Sequence, residues 1–107
     1  MIDWAYEFIC KESSTEQLCA RLNSLGGWKW GVGDSHWYGD YVRCTPFDGV
    51  RIRIVDFPKQ VNDEYKYDAD VRLNDGCKRS MKEIDQGFRT ALERIGAHSV
   101  REIETFD

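Results

Sequence analysis

Between Gly26 and Phe57 the chain places three of its four tryptophans and seven of its fourteen aromatic residues, spaced by glycines. The stretch closes on Val50, Ile52 and Ile54 alternating with Arg51, Arg53 and Val55. Rings and β-branched residues broken by turn formers favour antiparallel strands with side chains on alternate faces. A meander through the middle of a sheet follows. Trp28, Trp30 and Val32 share one face of a short strand, Gly33 to Ser35 supply a turn, and His36 to Thr45 returns, with Gly39 marking a bulge or a close backbone approach. Trp28 and Trp30 are assigned to the core. Pro46 to Gly49 forms the turn into the third strand.

The flanks supply helices for one face of that sheet. Trp4, Tyr6, Phe8 and Cys10 alternate with Ala5, Glu7 and Ile9, a strand with one strongly buried side. Ser13 and Glu16 have capping-box spacing. The helix they open carries Thr15, Leu18, Cys19, Leu22 and Leu25 on its apolar face and stops at Gly26. Pro58 to Glu64 is polar and reads as a surface loop. Tyr65, Tyr67, Ala69, Val71 and Leu73 then alternate with charged residues as a strand with one wet face. After Asn74-Asp75-Gly76 a second helix, capped by Asp75 or a neighbour, presents Cys77, Met81, Ile84, Phe88, Ala91, Leu92 and Ile95 over about five turns. Gly96 ends it, and Val100 to Phe106 adds an edge strand.

The order β-α-β-β-β-β-α-β predicts one α+β domain over residues 1–107. It is a two-layer sandwich with a mainly antiparallel sheet of about five to six strands and both helices on one face. It is related to a split βαβ unit with an enlarged central hairpin set.

Composition narrows the function classes. The 107 residues suit one core, burying roughly 65% of the unfolded surface. No apolar run reaches the roughly 18 residues of a membrane helix, and the N-terminus lacks a signal-peptide pattern, so a soluble cytoplasmic protein with no membrane partner is expected. Cys10, Cys19, Cys44 and Cys77 have no CxxC pairing or nearby histidine, which predicts reduced core thiols and no metal. A formal net charge of −4 disfavours nucleic acid and favours a basic protein partner.

No catalytic signature emerges, and no cofactor is implied. His36 with Asp34 and Asp40 has the residue types of a base and its orienting carboxylate, and Cys44 lies beside Arg43, but a turn histidine and a buried thiol explain both. Asn74 to Arg79 opens a helix with two cations, without the glycines of a phosphate loop. The aromatics with Arg51 and Arg53 would suit a base-stacking sheet face only if Arg43, Arg51, Arg53 and Arg72 gathered on one side. Adjacent Trp37 and Tyr38 must point to opposite faces, so at least one ring looks outward and would serve as an interface anchor among carboxylates.

The aromatic-acidic run GDSHWYGDY at Gly33 to Tyr41 and the acidic segment QVNDEYKYDAD at Gln60 to Asp70 bear a further likeness. With its size, acidity and α+β order, the chain resembles the small cytoplasmic immunity proteins of bacterial toxin–immunity pairs, including those of contact-dependent growth inhibition. The resemblance implies a non-enzymatic inhibitor that covers the active or substrate-binding surface of a cognate toxin, frequently a basic nuclease. The expected surface comprises Asp34, Trp37, Tyr38, Asp40, Asp63, Glu64, Asp68 and Asp70. Replacing both Asp68 and Asp70 by lysine is expected to weaken capture of a basic partner severalfold without unfolding the domain. The alternatives are a small-ligand or nucleic-acid domain using the aromatic face, a small enzyme around His36, Asp40 and Cys44, and a homodimer paired through the last strand.

Overall fold

A computed structural model of the chain describes residues 1–36 and 39–105, apart from the side chains of residues 56–58. The elements run β1 (Ile2–Cys10), α1 (Thr15–Asn23), β2 (Gly31–Ser35), β3 (Gly39–Cys44), β4 (Val50–Val61), β5 (Glu64–Leu73), α2 (Met81–Arg94) and β6 (His98–Ile103). They form an α+β fold with one six-stranded sheet in the order β2-β3-β4-β5-β1-β6. Every neighbouring pair is antiparallel. The segment β6-β1-β5-β4 has the strand order of a split βαβ unit, and the β2–β3 hairpin widens it on one side.

Alternation selects the buried face. Trp4, Tyr6, Phe8 and Cys10 of β1, Ile52 and Ile54 of β4, and Tyr67, Ala69 and Val71 of β5 meet Leu18 and Leu22 of α1 and Ile84, Phe88 and Leu92 of α2 in one core. Phe88 is its centre, within 6.5 Å of the rings of Tyr6, Phe8 and Trp30. A polar bridge fastens α2 to β1: Trp4 Nε1 donates to the Tyr6 hydroxyl, which donates to Asp85, and Arg89 Nε donates to the same Asp85 oxygen at 3.0 Å. Burial, reinforced by Asp85, pushes the Tyr6 hydroxyl pKa well above its ordinary value.

Several boundaries differ from the sequence expectation. The first helix is capped by Ser14, which accepts from the Gln17 amide at 3.2 Å, while the Gln17 side chain reaches back to Ser13. Gln17 therefore takes the place expected for Glu16. Trp28 and Trp30 precede β2 instead of lying in it, although Trp30 is buried and Trp28 packs against the core. The second helix starts late: Ser80 caps it by accepting from Glu83 N at 3.1 Å, and it runs 14 residues, about four turns. Asp75 instead meets the N-terminal ammonium, and Met81 is exposed. Gly96, with φ +85, follows as the stop.

The largest correction concerns residues 58–64, which are not a loop. β4 continues to Val61, where Val61 pairs with Glu64 across Asn62-Asp63, and Asn62 takes the left-handed φ of 57 that a two-residue hairpin turn requires. Between the pairs Val55–Asp68 and Lys59–Lys66, β4 advances four residues while β5 advances two. That bulge accommodates Pro58 and removes the clean alternation by which a strand is recognised. The final strand, β6, stands at the sheet edge beside β1 and ends at Ile103; Phe106 lies outside the described residues.

Candidate functional site

Both helices cover one face of the sheet, which leaves the other face open. Three cross-strand rows on that face follow from the registers. Arg51, Arg72 and Asp3 form one; Arg43, Arg53, Asp70 and Ala5 the next; Tyr41, Val55, Asp68, Glu7 and Arg101 the third. Charged residues therefore face one another across the sheet, where directly opposed pairs interact most strongly.

Asp70 is the hub of the first two rows. It is only 4% exposed and takes a forked contact from Arg53, Nε at 2.9 Å and Nη2 at 2.7 Å, with Arg51 Nη2 at 3.3 Å. A planar guanidinium meeting both carboxylate oxygens is the geometry that holds a desolvated ion pair together. The same crowding leaves Arg51 Nε buried without an acceptor. Asp3 engages Arg72 at 2.8 Å. In the third row Glu7 is gripped by Arg101 at 2.6 Å and Lys66 at 3.1 Å, and the bond from Arg101 holds its carboxyl below the ordinary range.

Asp68 has no such partner. It is half-buried beside Val55 and opposite Glu7, and no described residue forms a hydrogen bond or ion pair with its carboxylate. Partial burial pushes its pKa up; Lys66 opposes the shift and Glu7 adds to it. Beyond Val55 in the same row, Tyr41 lies so close over Gly33 that a Cβ there would stand 2.5 Å from the ring. Glycine at position 33 is what permits the ring to lie against β2.

The two hairpins end on the same side of the sheet. Asp34 and Asp40 are exposed and directly opposed across β2–β3. Asp63 is exposed at the β4–β5 turn, about 17 Å beyond the Asp68 row, and Glu64 beside it meets His98 Nε2 at 2.9 Å. Four of the expected surface acids thus lie at one end of the sheet, Asp34 and Asp40 on the face of Val42 and Glu64 on the open face with Asp68. Trp37 and Tyr38 lie outside the described residues.

Asp70 is the correction to the expected surface: its buried charge is already matched by two arginines and is unavailable to a partner. A lysine there would put a third cation against Arg51 and Arg53, so the Asp68/Asp70 double substitution would not leave the fold intact. The alternating charges on the facing strands, Arg51 and Arg53 against Asp68 and Asp70, were the signal for this network, but only the register shows which acid the arginines take.

The other candidates do not assemble. His36 and Asp40 are exposed, whereas Cys44 is buried on the core side of β3, four residues or about 13 Å along the strand from Asp40. Burial pushes the thiols of Cys10 and Cys44 up to about 12. All four cysteines are free, and no group of three metal-ligating side chains converges among the described residues. At the start of α2, Arg79 lies 3.9 Å over the Phe47 ring and bonds Glu83 at 2.8 Å, so it is committed within the fold. Among the described residues no helix is long and apolar enough to cross a membrane.

The sequence matches no protein-family model and no curated protein.

Proposed function

We propose that this chain is a non-enzymatic protein-binding module of the immunity-protein kind, acting in the cytoplasm on a basic cognate toxin such as a nuclease. The observation that carries the reading is Asp68: a half-buried carboxylate on the uncovered sheet face, without a counter-ion among the described residues. A lysine or arginine from a partner would supply that counter-ion. The acids Asp34, Asp40, Asp63 and Glu64 would speed encounter with a basic surface, and the aromatic pair Trp37–Tyr38 is proposed as the apolar anchor.

One observation favours a second reading. Arg43, Arg51, Arg53 and Arg72 do share the open face, as a nucleic-acid platform would require. Asp70 and Asp3 neutralise three of them, which leaves Arg43 as the arginine of the four without an ion pair among the described residues. Phosphate binding gathers several free cations, so protein binding is the better account.

The test is co-expression with any basic toxic domain found encoded beside this chain, followed by titration of the purified pair. Protection of the host together with a saturable complex that weakens as salt rises supports the proposal. A toxin that stays active and unbound, alongside salt-sensitive retention of oligonucleotide by the chain, transfers the assignment to the second reading.

A further inference from the structure

A cavity of about 370 Å³ opens on the helix layer, between the C-terminal half of α1 and the flank of α2. Leu22, Leu25, Trp28, Trp30, Gly87 and Ala91 form its apolar walls. Its volume falls within the range of small-molecule sites, which are mostly apolar with a few polar groups at fixed places. The floor is aromatic: the Trp28 and Trp30 rings lie 6.3 Å apart at 46°. Trp28 is held against the backbone of α2, where a Cβ at Gly87 would stand 2.5 Å from the indole, so the ring forms a fixed wall.

Charge distinguishes the two ends of the cavity. At the α2 N-terminal end, Glu83 is taken up by Arg79 at 2.8 Å. At the other end, exposed Arg94 lines the cavity and meets no carboxylate among the described residues, while Arg21, outside the lining, donates to the Arg94 carbonyl at 3.5 Å and to Ser24. An apolar trough that ends at a guanidinium free of carboxylates among the described residues complements a molecule with a flat apolar body and an acid group at one end.

We propose that this cavity binds a small aromatic carboxylic acid, its ring against Trp28 and Trp30 and its carboxylate on Arg94. The site lies on the layer opposite the open sheet face and does not depend on the protein-binding reading.

The probes are phenylbutyrate and its neutral amide, titrated into the whole chain and followed by the indole and backbone N–H signals in two-dimensional NMR. Saturable shifts confined to Trp28, Trp30, Gly87 and Ala91 are expected, with the acid binding about tenfold tighter than the amide. Arg94→Gln, at an exposed position, should erase that preference while the amide still binds. Ala91→Leu, which fills the trough with a good helix former, should abolish binding of both probes, with the unchanged remainder of the spectrum reporting an intact fold. Equal binding of acid and amide, shifts centred elsewhere, or no saturation at millimolar probe would overturn the proposal. Toxin binding by the opposite face would be unaffected by any of these results.

Discussion

Asp70 shows how a single carboxylate organises the open face. With its side chain 6% exposed between Arg53 and Arg51, it is worth more to the fold than an exposed ion pair, because its removal takes the forked carboxylate from an arginine whose side chain is 11% exposed. Asp70→Ala is expected to cost about 3 kcal/mol in urea denaturation, whereas removing Glu83 from its exposed pair with Arg79 should cost under about 0.5 kcal/mol. Asp68 behaves in the opposite sense. Its folded pKa is raised, so ionisation weakens the native state: its contribution is fully present below the ordinary value of 3.8 and is lost as pH rises through the folded value. Asp68→Asn should therefore be slightly stabilising at pH 7, by under about 0.5 kcal/mol, and the gain should vanish in acid. Denaturation curves at the two pH values measure this. A residue that costs stability where it stands fits a group retained for binding. The buried thiols make a third prediction. Cys10 and Cys44, pushed to about 12 from 9.0, lose protons more readily in the unfolded chain, so stability should fall between pH 9.0 and about 12. At neutral pH, half-buried Cys77 should be alkylated first and the other three only on unfolding, as mass spectrometry would show.

At the scale of elements, α2 is held by a contact its own sequence disfavours. Glycine inside a helix costs about 1 kcal/mol relative to alanine, yet Gly87 admits the Trp28 ring to the helix surface. Gly87→Ala should therefore destabilise the protein by about 1 kcal/mol net, and in a Trp28→Ala background the same change should become stabilising. Thermal unfolding of the four proteins of the cycle gives the sign of the coupling. The elements themselves were largely legible, because each one-sided strand and helix writes its burial into a period of two or 3.6. What was hidden has local causes. The outer half of β4 has no alternation to read once the bulge intervenes, and its two-residue turn is carried by Asn62-Asp63 without a glycine. The start of α2 was placed too early because Cys77 does pack on the core, although it does so from the loop before Ser80. At the candidate site the sequence identified the acids, while partnership depended on register: Asp70 falls between two arginines, and Asp68, two residues away on the same face, faces Glu7.

For the molecule as a whole, the decisive fact is asymmetry between the faces. One side of the sheet is closed by two helices over an aromatic core, and the other presents charge rows that are matched among the described residues except at Asp68 and Arg43. The central claim is that a basic protein completes this face. The most direct measurement is the association of the proposed toxic partner with the wild-type chain and with Asp68→Asn, a change that removes the charge without adding a third cation to Glu7, Lys66 and Arg101. The account predicts at least about tenfold weaker binding and slower association for the variant at low salt, with an unchanged circular dichroism spectrum. Equal affinity for the two proteins would contradict it.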